Sequence, residues 1–264
     1  MKLSIITICY NNIEGLIKTF DSITSQTFRD NFELIIVDGN SSDGTKNFLL
    51  QQDEDIDIWL SEPDSGVYNA MNKGVTLAHG EYCMFLNSGD ELSSPETIQQ
   101  IWPYLDGTDI VYGDLYVFNP GQKKPECWRF PEKLLVYDLI VGTLPHPASF
   151  TRTERLVESP YSEKYRIVSD WLFFSTQILL KGATYKKIPV IVSKFYNDGL
   201  SSNRSATDKE HLKAYEESFP ALLRQAYDEL LPYQSHPIFN RTKRLLKRYI
   251  KFKELIRKII IPSK

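Results

Sequence analysis

Phe32-Glu-Leu-Ile-Ile-Val37 runs straight into Asp38-Gly-Asn-Ser-Ser-Asp-Gly44, and then into Thr45–Gln51. The first stretch is a short, near-continuous apolar run, as expected of a strand buried on both faces. The second is turn chemistry. The third has the length and composition of a short helix. The same strand–turn–helix order recurs on both sides of it. Leu3–Cys9 is a short β-branched strand, and Asn12 can cap a helix whose apolar positions Ile13, Leu16, Ile17, Phe20 and Ile23 follow a 3.6-residue period. Downstream come a strand over Ile56–Ser61, a helix over Val67–Ala78, a strand over Tyr82–Leu86, a helix over Pro95–Leu105 and a strand over Asp109–Asp114. Alternation of this kind predicts an α/β fold with a mostly parallel sheet flanked by helices and right-handed crossovers. Residues 116–200 are less regular, with a Pro/Lys-rich loop at Asn119–Pro125. Helices are expected near Glu132–Val141 and Ser169–Lys181, a strand over Lys187–Phe195 and a helix over 207–230. The organisation expected is a first half at 1–115, a second half of the same domain at 116–203, and a helical C-terminal region at 204–264.

Polar clusters fall where these strands end, at Tyr10-Asn11-Asn12, Asp38, Glu62-Pro63-Asp64 and Asn87-Ser88-Gly89-Asp90. Ligands of open α/β sheets bind just beyond the carboxyl ends of the strands. Strand ends are polar in any protein, which accounts for one or two such clusters but not readily for four. Several familiar chemistries are excluded by missing motifs: there is no G-x-G-x-x-G, no G-x-x-x-x-G-K-[ST], no H-E-x-x-H and no G-x-S-x-G. Asp38–Gly44 is not a calcium loop, because its glycine is displaced and Leu49 stands where a glutamate ligand is needed. The carboxylates after Phe85-Leu86 suit Mg²⁺ or Mn²⁺ held against a diphosphate, since hard cations take oxygen ligands and keep positions open for phosphate.

Several stretches, in order, resemble glycosyltransferase family 2, the inverting nucleotide-sugar transferases of the GT-A fold. Ser4–Asn11 resembles the family's opening strand, and Ile35–Thr45 its "VDDGSTDGT" turn. Ser61-Glu-Pro-Asp64-Ser-Gly66 and Ala70-Met-Asn72-Lys73-Gly74 are similar to its "E-x-D-x-G" and "ARNxG" stretches, and Ala78–Asp90 to "A-x-G-E-Y-I-x-F-L-D-S-D-D". The pairing of "SEPDxGxYxAMNKG" with "FLNSGD" resembles the subgroup of bacterial exopolysaccharide and O-antigen synthesis. The resemblance covers about the first 115 residues. It implies a donor site of Thr7, Tyr10, Asp38, Asp64, Asn72, Lys73, Asn87, Gly89 and Asp90. In it Asp38 meets the base or ribose, Asp64 lies near the base, and Asp90 is the ligand of Mn²⁺ or Mg²⁺. It also implies an acidic general base in an "S-D-W" context, matched by Ser169-Asp170-Trp171, so that Asp170 is the candidate base. His146, in Pro145-His-Pro147, is either structural or a contact to diphosphate or acceptor. Trp171 is a possible acceptor contact but suits a core position better.

Departures from the pattern matter. Asn87 and Gly89 replace aspartates, so metal binding leans on one carboxylate. Met71 replaces an arginine, leaving Lys73 to supply charge near the phosphates. Asp170 has a bland alternative as a helix cap, and Asp90-Glu91 has one as a solvated acidic pair. The function implied is transfer of a sugar from a nucleoside-diphosphate sugar, with UDP favoured, to a saccharide or lipid-linked acceptor. A nucleotide-sugar-binding protein with weak or lost catalysis is the alternative. A nucleotidyltransferase is disfavoured, because Tyr10-Asn11-Asn12 stands where its Gly-rich basic loop belongs.

Charge sharpens the picture. The 264 residues carry a net charge of -3, but residues 1–237 hold 21 basic and 33 acidic side chains, whereas 238–264 hold 10 basic and one acidic. The acidic body gives no reason to expect nucleic acid as a partner. In the tail, Leu245, Tyr249, Phe252, Ile256 and Ile259 share one helical face, with most of the basic residues away from it. This pattern fits an amphipathic anchor on anionic lipid, with a helix packed on the protein's own acidic body, a dimer element or a frayed end as the alternatives. No leader or membrane span is expected, because the first apolar run is short and lacks a basic flank. The three cysteines, Cys9, Cys83 and Cys127, are widely spaced and form no C-x-x-C pair. A cytoplasmic protein, brought by its tail to the inner face of the plasma membrane, is the expectation.

Overall fold

The computed structural model describes residues 1–122, 124–197 and 204–234. The expected basic amphipathic tail at 238–264 lies outside the described residues. The chain divides into a unit over Met1–Ala214 and a second over Tyr215–Lys264.

The first unit is built on one sheet. Its strands are β1 (Leu3–Cys9), β2 (Glu33–Asp38), β3 (Ile58–Ser61), β4 (Tyr82–Phe85), β5 (Glu91–Leu92), β6 (Ile110–Phe118), β7 (Glu126–Trp128), β8 (Ser149–Arg152) and β9 (Tyr185–Tyr196). The helices are α1 (Ile13–Thr24), α2 (Thr45–Gln51), α3 (Val67–Leu77), α4 (Thr97–Ile101), α5 (Val136–Ile140), α6 (Thr153–Glu158) and α7 (Ser169–Leu179), followed by α8 (Arg204–Ser218) and α9 (Ala221–Gln234). Strand order is β3-β2-β1-β4-β8-β6-β9-β5, with β7 paired to β6. The expected boundary at residue 115 falls inside β6.

The first four strands are parallel neighbours, with Cys9 opposite Asp38 and Asp38 opposite Ser61 in register. Their carboxyl ends therefore share one edge. Beyond β4, antiparallel strands join the mostly parallel sheet. β8 inserts antiparallel between β4 and β6, β5 pairs antiparallel with β9 and β7 with β6, whereas β6 and β9 are parallel. The sheet is thus mixed.

Every residue of β1 and β2 is buried, which is why both read as largely apolar runs, broken by Ser4 and Thr7 in β1 and ended by Glu33 and Asp38 in β2. Alternate residues serve opposite faces. Leu3 and Ile5 pack in one cluster with Leu16, Phe20 and Ile23 of α1 and with Ile98 and Ile101 of α4. Ile6 and Ile8 pack in the other with Tyr68, Met71 and Val75 of α3 and with Phe173 and Phe174 of α7. Each such fully buried side chain contributes about 1.5–3 kcal/mol of burial free energy. Asn12 caps α1 as expected, its Oδ1 accepting from the Gly15 N–H at 3.2 Å.

Two helices differ from expectation because of proline. The run Pro95–Leu105 forms α4 followed by a 3₁₀ turn over Trp102–Tyr104, where Pro103 cannot donate a backbone hydrogen bond. The run 207–230 is split between α8 and α9, with Pro220 in the break.

Candidate active site

The turns after β1 and β2 are laced together. Asn11 adopts a left-handed conformation (φ 48°), which asparagine tolerates better than most residues. Its N–H donates to Ser41 Oγ at 2.8 Å, and its Oδ1 accepts from the Ser42 N–H at 2.8 Å. Ser41 Oγ in turn donates to Asp38 Oδ1 at 2.5 Å, and Ser61 Oγ donates to Asp38 Oδ2 at 2.7 Å. Asp38 is fully buried. Its carboxylate thus ties the ends of β2 and β3 together.

Next to Asp38 along the chain, Gly39 is flanked by Tyr10, which is 66% exposed, and by Asp64. Both crowd Gly39: a side-chain carbon there would lie 2.5 Å from Asp64 Oδ2 and 3.1 Å from the Tyr10 ring. An exposed aromatic face beside a carboxylate suits a planar base that donates N–H groups. Lys73 pairs with Glu62 at 2.6 Å and donates to the Pro63 carbonyl at 2.8 Å, so it braces the loop that carries Asp64.

At the end of β4, Gly89 has φ 109° and donates its N–H to Thr19 Oγ1 at 2.9 Å. A non-glycine residue would be strained in that conformation. The Asn12 amide holds the same turn through the Ser88 carbonyl at 3.1 Å. Two buried polar atoms here, Thr7 Oγ1 and Asn87 Oδ1, have no hydrogen-bond partner. Buried polar groups are normally paired, so these two atoms have hydrogen-bonding capacity left over at the ends of β1 and β4. Asp90 is buried, and its Oδ1 accepts from the Tyr196 N–H at 3.4 Å. Glu91 turns away to Lys18 at 3.1 Å, Lys194 at 3.2 Å and the Tyr196 hydroxyl at 2.6 Å. Burial would raise its carboxyl, but those three partners outweigh it and hold the group below the ordinary glutamate range. Asp90-Glu91 is therefore not a solvated acidic pair.

In the second half of the unit, Asp170 lies in the first turn of α7. Val168 occupies the cap position and no side chain caps the helix, so the capping alternative for Asp170 does not hold. Ser169 does not cap either; its hydroxyl is buried without a partner. Asp170 Oδ1 instead accepts from the Tyr68 hydroxyl at 2.8 Å. His146 stacks on Phe85, at the end of β4, with ring centroids 5.2 Å apart, and its Nε2 lies 3.2 Å from the Tyr161 hydroxyl. Burial pushes the imidazole below its ordinary value, against the opposing pull of the Asp170 charge, so the ring is neutral at pH 7. Asp170, Tyr68, Tyr161 and His146 are thus assembled beside the end of β4.

Two expected contacts are placed elsewhere. Trp171 is 4% exposed, and its indole N–H donates to the Leu139 carbonyl at 2.7 Å. It is a core residue and presents no face to an acceptor. The Asn72 amide is taken up by the backbone of Tyr161, donating to its carbonyl at 2.9 Å and accepting from its N–H at 2.9 Å. It serves the second half of the unit rather than the turns at the ends of β1–β4. Tyr68, Tyr161 and Glu163 were not expected. Tyr68 stood within the Asp64–Gly74 stretch, whereas Tyr161 and Glu163 carried no local signal.

Comparison with known proteins agrees with this architecture. The model of glycosyl transferase family 2 matches residues 4–155. An uncharacterised glycosyltransferase of Mycobacterium tuberculosis is 33% identical over 206 residues, covering 76% of this chain and 78% of that protein. A PGL/p-HBAD biosynthesis glycosyltransferase of Mycobacterium bovis is 30% identical, covering 73% and 75%. Among solved structures, Staphylococcus aureus TarS 1–349 in complex with UDP-GlcNAc superposes with a TM-score of 0.66 at 18% identity, covering 88% of this chain and 72% of that one. A mannosyltransferase of Pyrobaculum calidifontis in complex with GDP-Man and Mn²⁺ gives 0.64 at 17% identity, covering 90% and 71%. The sheet, the order of the strand-end turns and these matches agree: the chain is a glycosyltransferase of family 2, with the GT-A fold.

Proposed function

We propose that this protein transfers a sugar, with inversion, from a nucleoside-diphosphate sugar to a saccharide or lipid-linked acceptor in bacterial cell-surface glycan synthesis. The observation that carries this reading is the hydrogen bond to Asp170 from Tyr68, a residue four positions along the chain from Asp64; it holds a carboxylate that is free of capping duty. In the reaction the acceptor hydroxyl attacks the anomeric carbon, and its proton passes to Asp170 as the new C–O bond forms. The bond from that carbon to the diphosphate oxygen breaks, and the nucleoside diphosphate leaves with the electron pair. Tyr10 and Asp64 receive the base, and Thr7 and Asn87 present polar atoms to the donor. Division of the catalytic body into a donor half ending near 115 and an acceptor half ending near 203 belongs to the same reading.

Asp90 and the unpartnered Asn87 Oδ1 are oxygen donors of the type that Mg²⁺ or Mn²⁺ takes. Among the described residues no three His, Cys, Asp or Glu side chains cluster as a metal site. The residues therefore fit an ion completed by the donor's phosphates, which would neutralise charge on the departing diphosphate. A UDP-sugar is favoured, supported by the UDP-GlcNAc complex of the neighbour TarS, with GDP-sugars the competing class. A lipid-linked acceptor agrees with a concavity of about 330 Å³ near the start of α7, lined by Lys164, Arg166, Lys209 and Lys213, by the apolar Tyr165, Ile167 and Ala206, and by Glu210, whose carboxylate is taken up by the Arg166 and Ile167 N–H groups. The basic side chains suit a phosphate-bearing acceptor. The basic tail, on this reading, holds the enzyme to anionic lipid. No helix among the described residues is long and apolar enough to cross a membrane.

The test is a thermal-shift panel of UDP-, GDP- and dTDP-sugars with and without Mn²⁺, followed by UDP or GDP release from the sugars that bind. Stabilisation by one nucleotide class, with Asp170→Asn binding normally and turning over poorly, is expected. No shift with any nucleotide sinks the reading. The single acidic metal ligand favours a second reading, a binding protein without turnover; in that case Asp170→Asn and the parent behave alike.

A further inference from the structure

The stretch Ser65–Asn72 follows Asp64 directly, yet its polar side chains point to the segment 161–170. Ser65 Oγ donates to Glu163 Oε2 at 3.1 Å, and Asn69 Nδ2 donates to both oxygens of Glu163 at 3.1 Å. Asn72 Nδ2 donates to Glu163 Oε1 at 3.3 Å as well as to the Tyr161 carbonyl. The Asn69 amide, ahead of Asn72 and Ser65, holds the Glu163 carboxyl below its ordinary range. Tyr68, buried at the centre of this set, reaches two acceptors: the Ile167 carbonyl at 2.7 Å and Asp170 Oδ1 at 2.8 Å. The turn that starts this stretch depends on Gly66, whose φ is 137° and whose N–H donates to Asp64 Oδ1 at 2.9 Å.

We infer that Ser65, Asn69, Asn72 and Glu163 form a clasp between the donor turn and the segment 161–170, and that Tyr68 within it is the positioning residue for Asp170. The inference rests on Asp170 being the base. A phenol has one hydrogen and here two acceptors. While Asp170 is a carboxylate, the Tyr68 O–H donates to Oδ1 and fixes the side chain, leaving Oδ2 to face the acceptor hydroxyl. When Oδ2 takes the acceptor's proton, Oδ1 becomes a weaker acceptor and the Tyr68 O–H turns to the Ile167 carbonyl. No proton is gained or lost by Tyr68, and its buried hydroxyl stays satisfied in both states, which avoids the cost of an orphaned donor. Burial and the Asp170 charge push the Tyr68 phenol well above its ordinary value, so it remains a donor throughout. Because Asp64 and Tyr68 share one turn, the donor contact and the base are held by the same short piece of chain.

The experiment compares the parent, Tyr68→Phe, Asp170→Asn and the double variant. It measures UDP release from the UDP-sugar that turns over fastest in the panel above, with water as acceptor, and takes a melting curve for each protein. Loss of a hydrogen bond to a charged group predicts a roughly ten- to hundredfold lower kcat for Tyr68→Phe, with donor KM unchanged. It also predicts little further loss when Tyr68→Phe is added to Asp170→Asn. Unchanged kcat in Tyr68→Phe overturns the proposal, as does an equal fractional loss in both backgrounds, which would mark a merely structural role. Should Tyr68→Phe fail to fold, Glu163→Gln at its exposed position carries the same comparison, with a lower kcat at unchanged donor KM expected and an unchanged kcat overturning it. Asp170→Asn turning over at the parent's rate is a distinct result: it removes the base reading and the inference with it.

Discussion

Glu33, at the amino end of β2, is the side chain whose loss has the most calculable effect. It is 4% exposed, and its Oε1 accepts from Ser4 Oγ at 2.5 Å, the His79 N–H at 2.6 Å and the Gly80 N–H at 3.1 Å. Oε2 lies 3.1 Å from His79 Nδ1. One carboxylate thus joins the start of β1, the start of β2 and the turn into β4. Glu33→Gln is nearly isosteric: the amide oxygen can take the Oε1 position, and the amide nitrogen can face His79 Nδ1 if that ring nitrogen accepts. What is lost is charge on three hydrogen bonds. Charged bonds are roughly twice as strong as neutral ones, so a net loss of about 1–3 kcal/mol follows. Burial alone would raise the Glu33 carboxyl, but the bonds from Ser4 and His79 outweigh it and the net direction is downward. A carboxyl lowered in the folded state stabilises the fold above its unfolded value, near 4.5, and that contribution fades as pH falls through the folded value. Urea midpoints of parent and variant, read by tryptophan fluorescence, should therefore differ most near pH 7 and converge towards pH 3. An equal difference at both pH values, or none at pH 7, refutes the reasoning. Donor KM should be unchanged, because Glu33 lies at the opposite end of β2 from Asp38, about 17 Å away.

Three further outcomes follow from the geometry. Asp90→Asn should abolish the Mn²⁺-dependent part of the thermal shift with a UDP-sugar while leaving the metal-free part; an unchanged Mn²⁺ response would show that the ion sits elsewhere. Lys187→Met should destabilise by about 3–5 kcal/mol in a urea titration, because it strips the buried Asp114 carboxylate of a partner 2.8 Å away. Asp114→Asn in the same background should recover part of that loss. Trp171→Phe removes a buried hydrogen bond and some core volume; the Leu139 carbonyl keeps Ser175 Oγ at 2.6 Å, so about 1–3 kcal/mol of stability is lost. In steady-state kinetics its acceptor KM should stay at the parent's value, whereas a residue that stacked on the acceptor would raise it.

The first four strands were legible because each signal is local. β1 and β2 are buried at every position, so most of their burial is written as runs of apolar residues, Ile5–Ile6 and Leu34–Val37, and the turn residues that follow them lie at fixed offsets. The strands that escaped notice are those without such a run. β5 has two residues, and β7 has three, all exposed. β8 is hidden behind Pro145-His-Pro147, and only the sheet shows that it wedges between β4 and β6. The same distinction separates the site residues. Tyr10, Asp38 and Asn87–Asp90 sit at strand ends, and the strand alone puts them on one edge. Tyr68 and Asp170 are 102 positions apart, and Asn72 and Tyr161 are 89 apart, so no period or spacing can record that they meet. Asn72 shows the consequence. Its place after Asp64 and Gly66 reads as donor machinery, but α3 carries it one turn beyond Tyr68, and there its amide meets the backbone of Tyr161. A motif places its residues on an element, and the packing of that element decides which substrate, or which neighbour, each of them serves.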